Sequence, residues 1–166
     1  MRVAVTGTPG TGKTSAVELV ETELEKLHLN DLIREEGLHE GEDPDRGSLY
    51  ADMDALAERI PEDGLVESHL AHNFEADKVI VLRCAPEELE KRLRERGEDE
   101  AKTRENAESE ALDVVLSEAV ARHGEESVYE IETTERTPQQ VATEIEAVLD
   151  GERDPSAGTV DYTDWL

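Results

Sequence analysis

The octet Gly7-Thr8-Pro9-Gly10-Thr11-Gly12-Lys13-Thr14 constrains this chain more than any other stretch. It fits G-x-x-x-x-G-K-[ST], the phosphate-binding P-loop. Its flanks agree with that reading: Val3, Ala4 and Val5 form a short apolar run before it, and Ala16, Val17, Val20 and Leu24 recur at helical spacing after it. Strand, glycine-rich loop and helix in this order let successive backbone N–H groups converge on phosphate oxygens, which a side chain would obstruct. The start of the helix adds its positive dipole end. Lys13 is then expected to reach the outer phosphates of a nucleotide, and the Thr14 hydroxyl to hold Mg²⁺.

The distribution of charge supports the site. Asp and Glu make up 43 of 166 residues, yet none falls within the first seventeen, as a pocket for a polyanion requires. Elsewhere the acids are spread along the chain, for a net charge of −26. Gathered in one block they would suggest an acidic tail or a mimic of nucleic acid. Dispersed, they read as the solvated surface of a salt-adapted protein, whose self-repulsion is screened. Arg outnumbers Lys 12 to 5, in keeping with halophilic adaptation. Such a charge argues against an electrostatic grip on nucleic acid, and no direct sequence-specific nucleic-acid binding is expected. No run of eighteen apolar residues and no signal-peptide core occurs, so a soluble, cytoplasmic protein without membrane contact is expected. The single Cys84 reads as a small core residue and suits a reducing compartment.

At 166 residues the chain is expected to form a single domain with a full core. The first helix is expected from about Lys13 to Lys26, then a short strand over Leu27–Leu29. Asn30-Asp31 can cap a small helix through Arg34. Residues 37–48, with Gly37, Gly41, Pro44 and Gly47, read as a loop. From Ser48 the apolar set Leu49, Met53, Leu56, Ala57 and Ile60 follows helical spacing until Pro61. Residues 64–68 and 78–84 read as strands, the second continuously apolar as in a parallel sheet covered on both faces.

Pro86 opens a helix carrying Leu89 and Leu93, and Gly97 closes it. A long helical stretch to Gly124 is expected to bury Ala107, Ala111, Leu112, Val115 and Ala119. Residues 128–131 read as a fifth strand. Thr137-Pro138-Gln139-Gln140 is a capping box, and the helix behind it presents Val141, Ile145, Val148 and Leu149 on one face. A turn-rich tail fills residues 151–166. The alternation of strand and helix predicts an α/β three-layer P-loop fold, with a five-stranded parallel sheet flanked by helices.

Two classes of P-loop protein lack their markers here: there is no Asn-Lys-x-Asp motif of GTPases, and no apolar run ending in Asp-Glu as in motor or transporter ATPases. The segment Arg92-Leu93-x-x-Arg96-Gly97, followed by Lys102-x-x-Glu105-Asn106-x-Glu108-x-Glu110, resembles the lid of nucleoside monophosphate kinases. With Asn30-Asp31-Leu32-x-Arg34-Glu35-Glu36 and Val66-Glu67-Ser68-His69, the chain from Met1 to about Leu149 resembles the nuclear-type adenylate kinases, which also act in small-ribosomal-subunit maturation.

That resemblance implies site roles. Gly10, Gly12, Lys13, Thr14 and Ser15 would bind the ATP phosphates, with Thr14 on Mg²⁺. Residues 28–51 would form the monophosphate-binding region, with Arg34 on the acceptor phosphate. Residues 95–105 would form the lid, with Arg96 over ATP. Arg92 lies one turn from Arg96 and projects with it, and both also suit a solvated helix face balancing Glu88 and Glu90. The family's Asp-x-His is here Glu67-Ser68-His69, so Glu67 is expected to organise Mg²⁺ through water. His69 is expected at the mouth of the pocket, serving hydrolysis more than transfer, or else as a surface histidine. The spacing Glu67-x-His69-x-x-His72 also admits zinc capture.

Three functions remain open at this point. One is reversible phosphoryl transfer from ATP to AMP or a related monophosphate, with slow ATP hydrolysis. Another is an ATP-driven assembly switch acting on a small-subunit ribosomal protein and the pre-ribosome. The third is a P-loop kinase of another small metabolite.

Overall fold

The computed structural model describes residues 1–35, 39–42, 49–51 and 53–166, with side chains for residues 1–35 and 53–166. Five parallel strands lie in the order β2 (Lys26–His28), β5 (Gly64–Glu67), β1 (Arg2–Thr6), β6 (Lys78–Arg83) and β7 (Val128–Glu132). The expected five-stranded parallel sheet is therefore present. β1 sits at its centre, so the loop that leaves Thr6 emerges in the middle of the carboxyl edge, between β5 and β6.

Strand alternation builds the two outer layers. Val3 and Val5 face one way, with Leu65, Ile80, Leu82 and Ile131, and pack against α1 (Lys13–Leu19) and α7 (Pro138–Leu149). Ala4 faces the other way, with Val66, Val79, Val81 and Val128, against α2 (Leu29–Glu35), α3 (Met53–Arg59) and α6 (Val114–His123). A sheet covered on both faces needs consecutive apolar residues, which is why Val79 to Leu82 are all fully buried. The expected capping box is formed: Thr137 Oγ1 accepts from the Gln140 amide at 3.2 Å, and Gln140 answers at the Thr137 N–H at 2.9 Å.

Several boundaries differ from the sequence expectation. α1 ends at Leu19 rather than near Lys26, because the chain turns extended at Val20 to bury that side chain against the α1–α7 layer. α2 begins at Leu29, so Asn30 sits in its first turn, and its carboxamide oxygen accepts from Ser68 Oγ at 2.9 Å instead of capping. Within the expected 37–48 loop, His39–Glu42 forms β3, which pairs antiparallel with β4 (Leu49–Ala51), so the helix expected from Ser48 begins at Met53. Residues 36–38, 43–48 and 52 lie outside the described residues.

The long helix expected up to Gly124 is two helices, α5 (Glu100–Ala111) and α6. Asp113 breaks it with φ +55°, a left-handed conformation that an Asp side chain tolerates better than most, and its carboxylate reaches Arg83. The break rotates Leu112 outward to 58% exposure, where burial was expected. The tail is docked along β7: the Ser156 N–H donates to Val128 O at 3.0 Å, and Tyr162 Oη to Glu132 at 2.6 Å.

Candidate nucleotide-binding site

The P-loop spans the gap between β1 and α1. Gly10 (φ +95°) packs so closely on α4 (Pro86–Glu95) that a Cβ would lie 2.9 Å from both Leu89 and Leu93. Gly12 (φ +94°) caps α1 with open space around it, so only the backbone conformation demands glycine there. α1 has only seven residues, so its dipole is short, and the loop amides and Lys13 are the other groups placed to face an anion. Lys13 is buried, its Nζ donating to Gly7 O at 2.9 Å and Thr8 O at 3.2 Å. Burial pushes its ammonium down to about 8, with Glu67 opposing the shift and Arg96 adding to it. Thr14 and Ser15 remain exposed at the helix start.

β5 delivers the acidic partner. Parallel register sets Val5 opposite Glu67, and Thr14 Oγ1 donates to Glu67 Oε1 at 3.0 Å. The second carboxylate oxygen accepts from His28 Nδ1 on β2 at 2.9 Å. One hydroxyl and one carboxylate beside an anion cradle suit Mg²⁺, which keeps several waters and shares nucleotide phosphates rather than filling an all-protein cage. Among the described residues no group of three or more His, Cys, Asp or Glu is arranged to hold a metal ion without such a ligand.

His69 follows two residues later and is half-buried. Burial pushes its imidazole down to about 4, aided by the Lys13 and His72 charges, so it is neutral at pH 7. The acid-and-histidine trio that admitted zinc is divided by the fold. His72 is buried in a 3₁₀ turn, with Nδ1 2.7 Å from Thr6 Oγ1 and Nε2 3.2 Å from Glu118. Both its ring nitrogens are engaged, and Glu67 faces Thr14 and His28 instead.

Known proteins resemble this chain over most of its length. The family described as "AAA domain" matches residues 3–113. A "Putative adenylate kinase" from Natronomonas pharaonis is 64% identical, with all of both chains covered. Proteins of the same name from Halobacterium salinarum (59%, all of both chains) and Methanothermobacter thermautotrophicus (45%, 99% of this chain and 98% of that one) are also similar. The chain belongs to this adenylate kinase family. A crystal structure of shikimate kinase from Bacteroides thetaiotaomicron shares the fold, with TM-score 0.57 and 18% identity over 90% of this chain and 98% of that one.

Three arginines of this family member were singled out by sequence, and the fold separates them. Arg34 lies exposed in the last turn of α2. The segment expected as a lid is a short corner between α4 and α5, where Arg96 ends α4, Gly97 turns with φ +83°, and Asp99 caps α5 through the Lys102 N–H at 2.8 Å. Arg96 is exposed there, and its charge reaches Lys13. Arg92 does not project freely alongside it. Its guanidinium donates to Thr133 O at 2.8 Å and Thr133 Oγ1 at 3.2 Å, tying α4 to the end of β7. Thr11, Gly12, Ser15, Arg92, Arg136 and Pro138 line a cavity of about 230 Å³ beside the loop.

The sequence reading missed the buried charge cluster under the P-loop. Arg83, at the end of β6, donates to Glu110 Oε2 at 3.0 Å, Glu130 Oε2 at 2.7 Å and Asp113 Oδ1 at 2.5 Å. Glu110 also accepts from the Thr8 hydroxyl at 2.8 Å and the Cys84 N–H at 2.8 Å. Arg83, Glu110 and Glu130 are each at most 2% exposed. Glu110 thus joins α5 to the P-loop itself. Cys84 is buried as expected, and burial pushes its thiol up to about 11.

Proposed function

We propose that the chain transfers the γ-phosphoryl group of ATP to AMP or a related nucleoside monophosphate, with Mg²⁺ bound alongside the nucleotide. The observation that carries this reading is the meeting of Lys13, Thr14 and Glu67 at the carboxyl edge of the central strands, where parallel α/β folds bind ligands. Gly10, Gly12, Lys13, Thr14 and Ser15 would hold the ATP phosphates. The cavity between Arg92 and Pro138 supports a place for the rest of the donor nucleotide. Thr14 would bind Mg²⁺ directly and Glu67 through water, and the ion would neutralise phosphate charge. Arg96 would add a cation over ATP from the lid corner, and Arg34 one for the acceptor phosphate.

Positioning and charge neutralisation do most of the work of phosphoryl transfer, so no general base is required. Hydrolysis of ATP as a slow second activity is supported by His69, a neutral imidazole whose titration already feels Lys13 and which can orient a water. The resemblance to nuclear-type adenylate kinases extends the proposal to small-subunit maturation, with a ribosomal protein and the pre-ribosome as partners. Salt adaptation is supported by the relatives in Natronomonas pharaonis and Halobacterium salinarum and by the −26 charge.

The test is ADP formation from ATP in molar potassium chloride, with and without each nucleoside monophosphate. Stimulation by AMP or another monophosphate is expected. Arg34→Ala should then raise the monophosphate KM while sparing hydrolysis. ADP formation that no monophosphate stimulates would leave an ATPase switch and overturn the kinase reading.

A further inference from the structure

His28 stands at the first position of the expected monophosphate-binding region, and no role is assigned to its side chain there. It sits on the edge strand β2, and the parallel register sets it directly opposite Glu67. Glu67 is 4% exposed, and its two oxygens are divided between two partners: Oε1 takes the Thr14 hydroxyl at 3.0 Å, and Oε2 takes His28 Nδ1 at 2.9 Å. A carboxylate only accepts, so Nδ1 carries the proton. The other ring nitrogen lies 3.9 Å from the mostly exposed Glu18 carboxylate of α1, beyond hydrogen-bond distance, so Glu67 is the partner that orients the ring. The result is a line of hydrogen bonds from β2 through Glu67 of β5 to Thr14 at the start of α1.

We infer that His28 is a positioning residue for the metal-nucleotide site, holding the Glu67 carboxylate turned toward Thr14. Glu67 has three side-chain torsions, and a carboxylate held by one bond to a threonine hydroxyl is free to rotate away. Holding its second oxygen from β2 removes that freedom before the ligand arrives. Mg²⁺ demands near-octahedral placement of its ligands and their waters, so orientation of one carboxylate matters more than its mere presence. The inference rests on the proposed Mg²⁺–nucleotide reading of the site.

The experiment is titration calorimetry of the full chain with ADP, in Mg²⁺ and separately in EDTA, with circular dichroism to check folding. His28→Ala is expected to weaken ADP binding in Mg²⁺ by about tenfold, the lower range for losing a residue that orients a metal ligand. Binding in EDTA should stay unchanged, a split that a general loss of structure would not produce. His28→Asn, whose amide nitrogen falls near the Nδ1 position, should restore much of the loss, whereas His28→Gln should not. In a Glu67→Asp background, where the shorter side chain cannot span both partners, adding His28→Ala should cost little more. Equal weakening with and without Mg²⁺, or no change in either, would overturn the role of His28. Should the unaltered protein bind ADP no better with Mg²⁺ than without, both the metal reading and this inference fall together. An unaltered protein that needs Mg²⁺ beside an unaffected His28→Ala overturns the inference alone.

Discussion

Replacing Glu110 by alanine tests whether the buried charge cluster stabilises the fold and shapes the P-loop. The change removes the acceptor of three bonds, from Thr8 Oγ1, Arg83 Nε and the Cys84 N–H, all between 2.8 and 3.0 Å. Breaking a buried ion pair costs about 3–5 kcal/mol, because the remaining charge has lost its partner. Arg83 keeps Glu130 and Asp113, which holds the loss to the low end, while the stranded Cys84 N–H adds to it. A loss of about 3–4 kcal/mol is expected. For a chain of this size that lowers Tm by about 10 °C. Glu110→Gln keeps the shape, and its amide can still serve Thr8 and Cys84, so it should lose about half as much. Urea unfolding in molar potassium chloride measures both. A change below about 1 kcal/mol, or a gain, would refute the reasoning. It would mean that repulsion among three carboxylates around one guanidinium already offsets their attraction to it.

Three further outcomes follow from the site and the surface. Because burial holds Lys13 down to about 8, phosphate binding should raise its proton affinity, so ADP binding at pH 8–9 should take up protons. Calorimetric heats that do not depend on the ionisation enthalpy of the buffer would contradict this. His69, pushed down to about 4, binds fewer protons folded than unfolded, so its contribution to stability falls as pH drops from about 6.5 toward 4. His69→Ala should remove that part of the acid destabilisation and lower ATP hydrolysis more than AMP phosphorylation. Parallel loss of the two activities would leave it no special part in hydrolysis. Finally, a net charge of −26 should destabilise the protein at low ionic strength, with recovery near 1 M salt, where the Debye length is about 3 Å. A Tm independent of potassium chloride would contradict salt adaptation.

What the sequence determined by itself was whatever depends on neighbours along the chain. The P-loop is eight consecutive residues whose glycines and lysine act through local backbone geometry, so it was legible at once. The strands Lys78–Arg83 and Val128–Glu132, and the capping box of α7, rest on runs and spacings of a few residues, and each appeared within a residue or two of expectation. Glu67 was legible for a mixed reason: its place at the end of a strand is local, but its approach to Thr14 needed the β1–β5 pairing.

Tertiary structure decided the rest. The bond between Thr8 and Glu110 joins residues 102 apart, and no periodicity carries that information. Arg83, inside an apolar strand, shows its purpose only when Glu110, Asp113 and Glu130 arrive from two helices' worth of chain and the neighbouring strand. The same carboxylate pull explains why helix propensity gave way at Asp113, and why Leu112 faces outward. His28 reads in sequence as one polar residue on a short edge strand, and only the register opposite Glu67 turns it toward the site. Local propensity is worth tenths of a kcal/mol per residue, whereas leaving a buried charge unpaired costs several, so where the two conflict the long-range pairing sets the backbone.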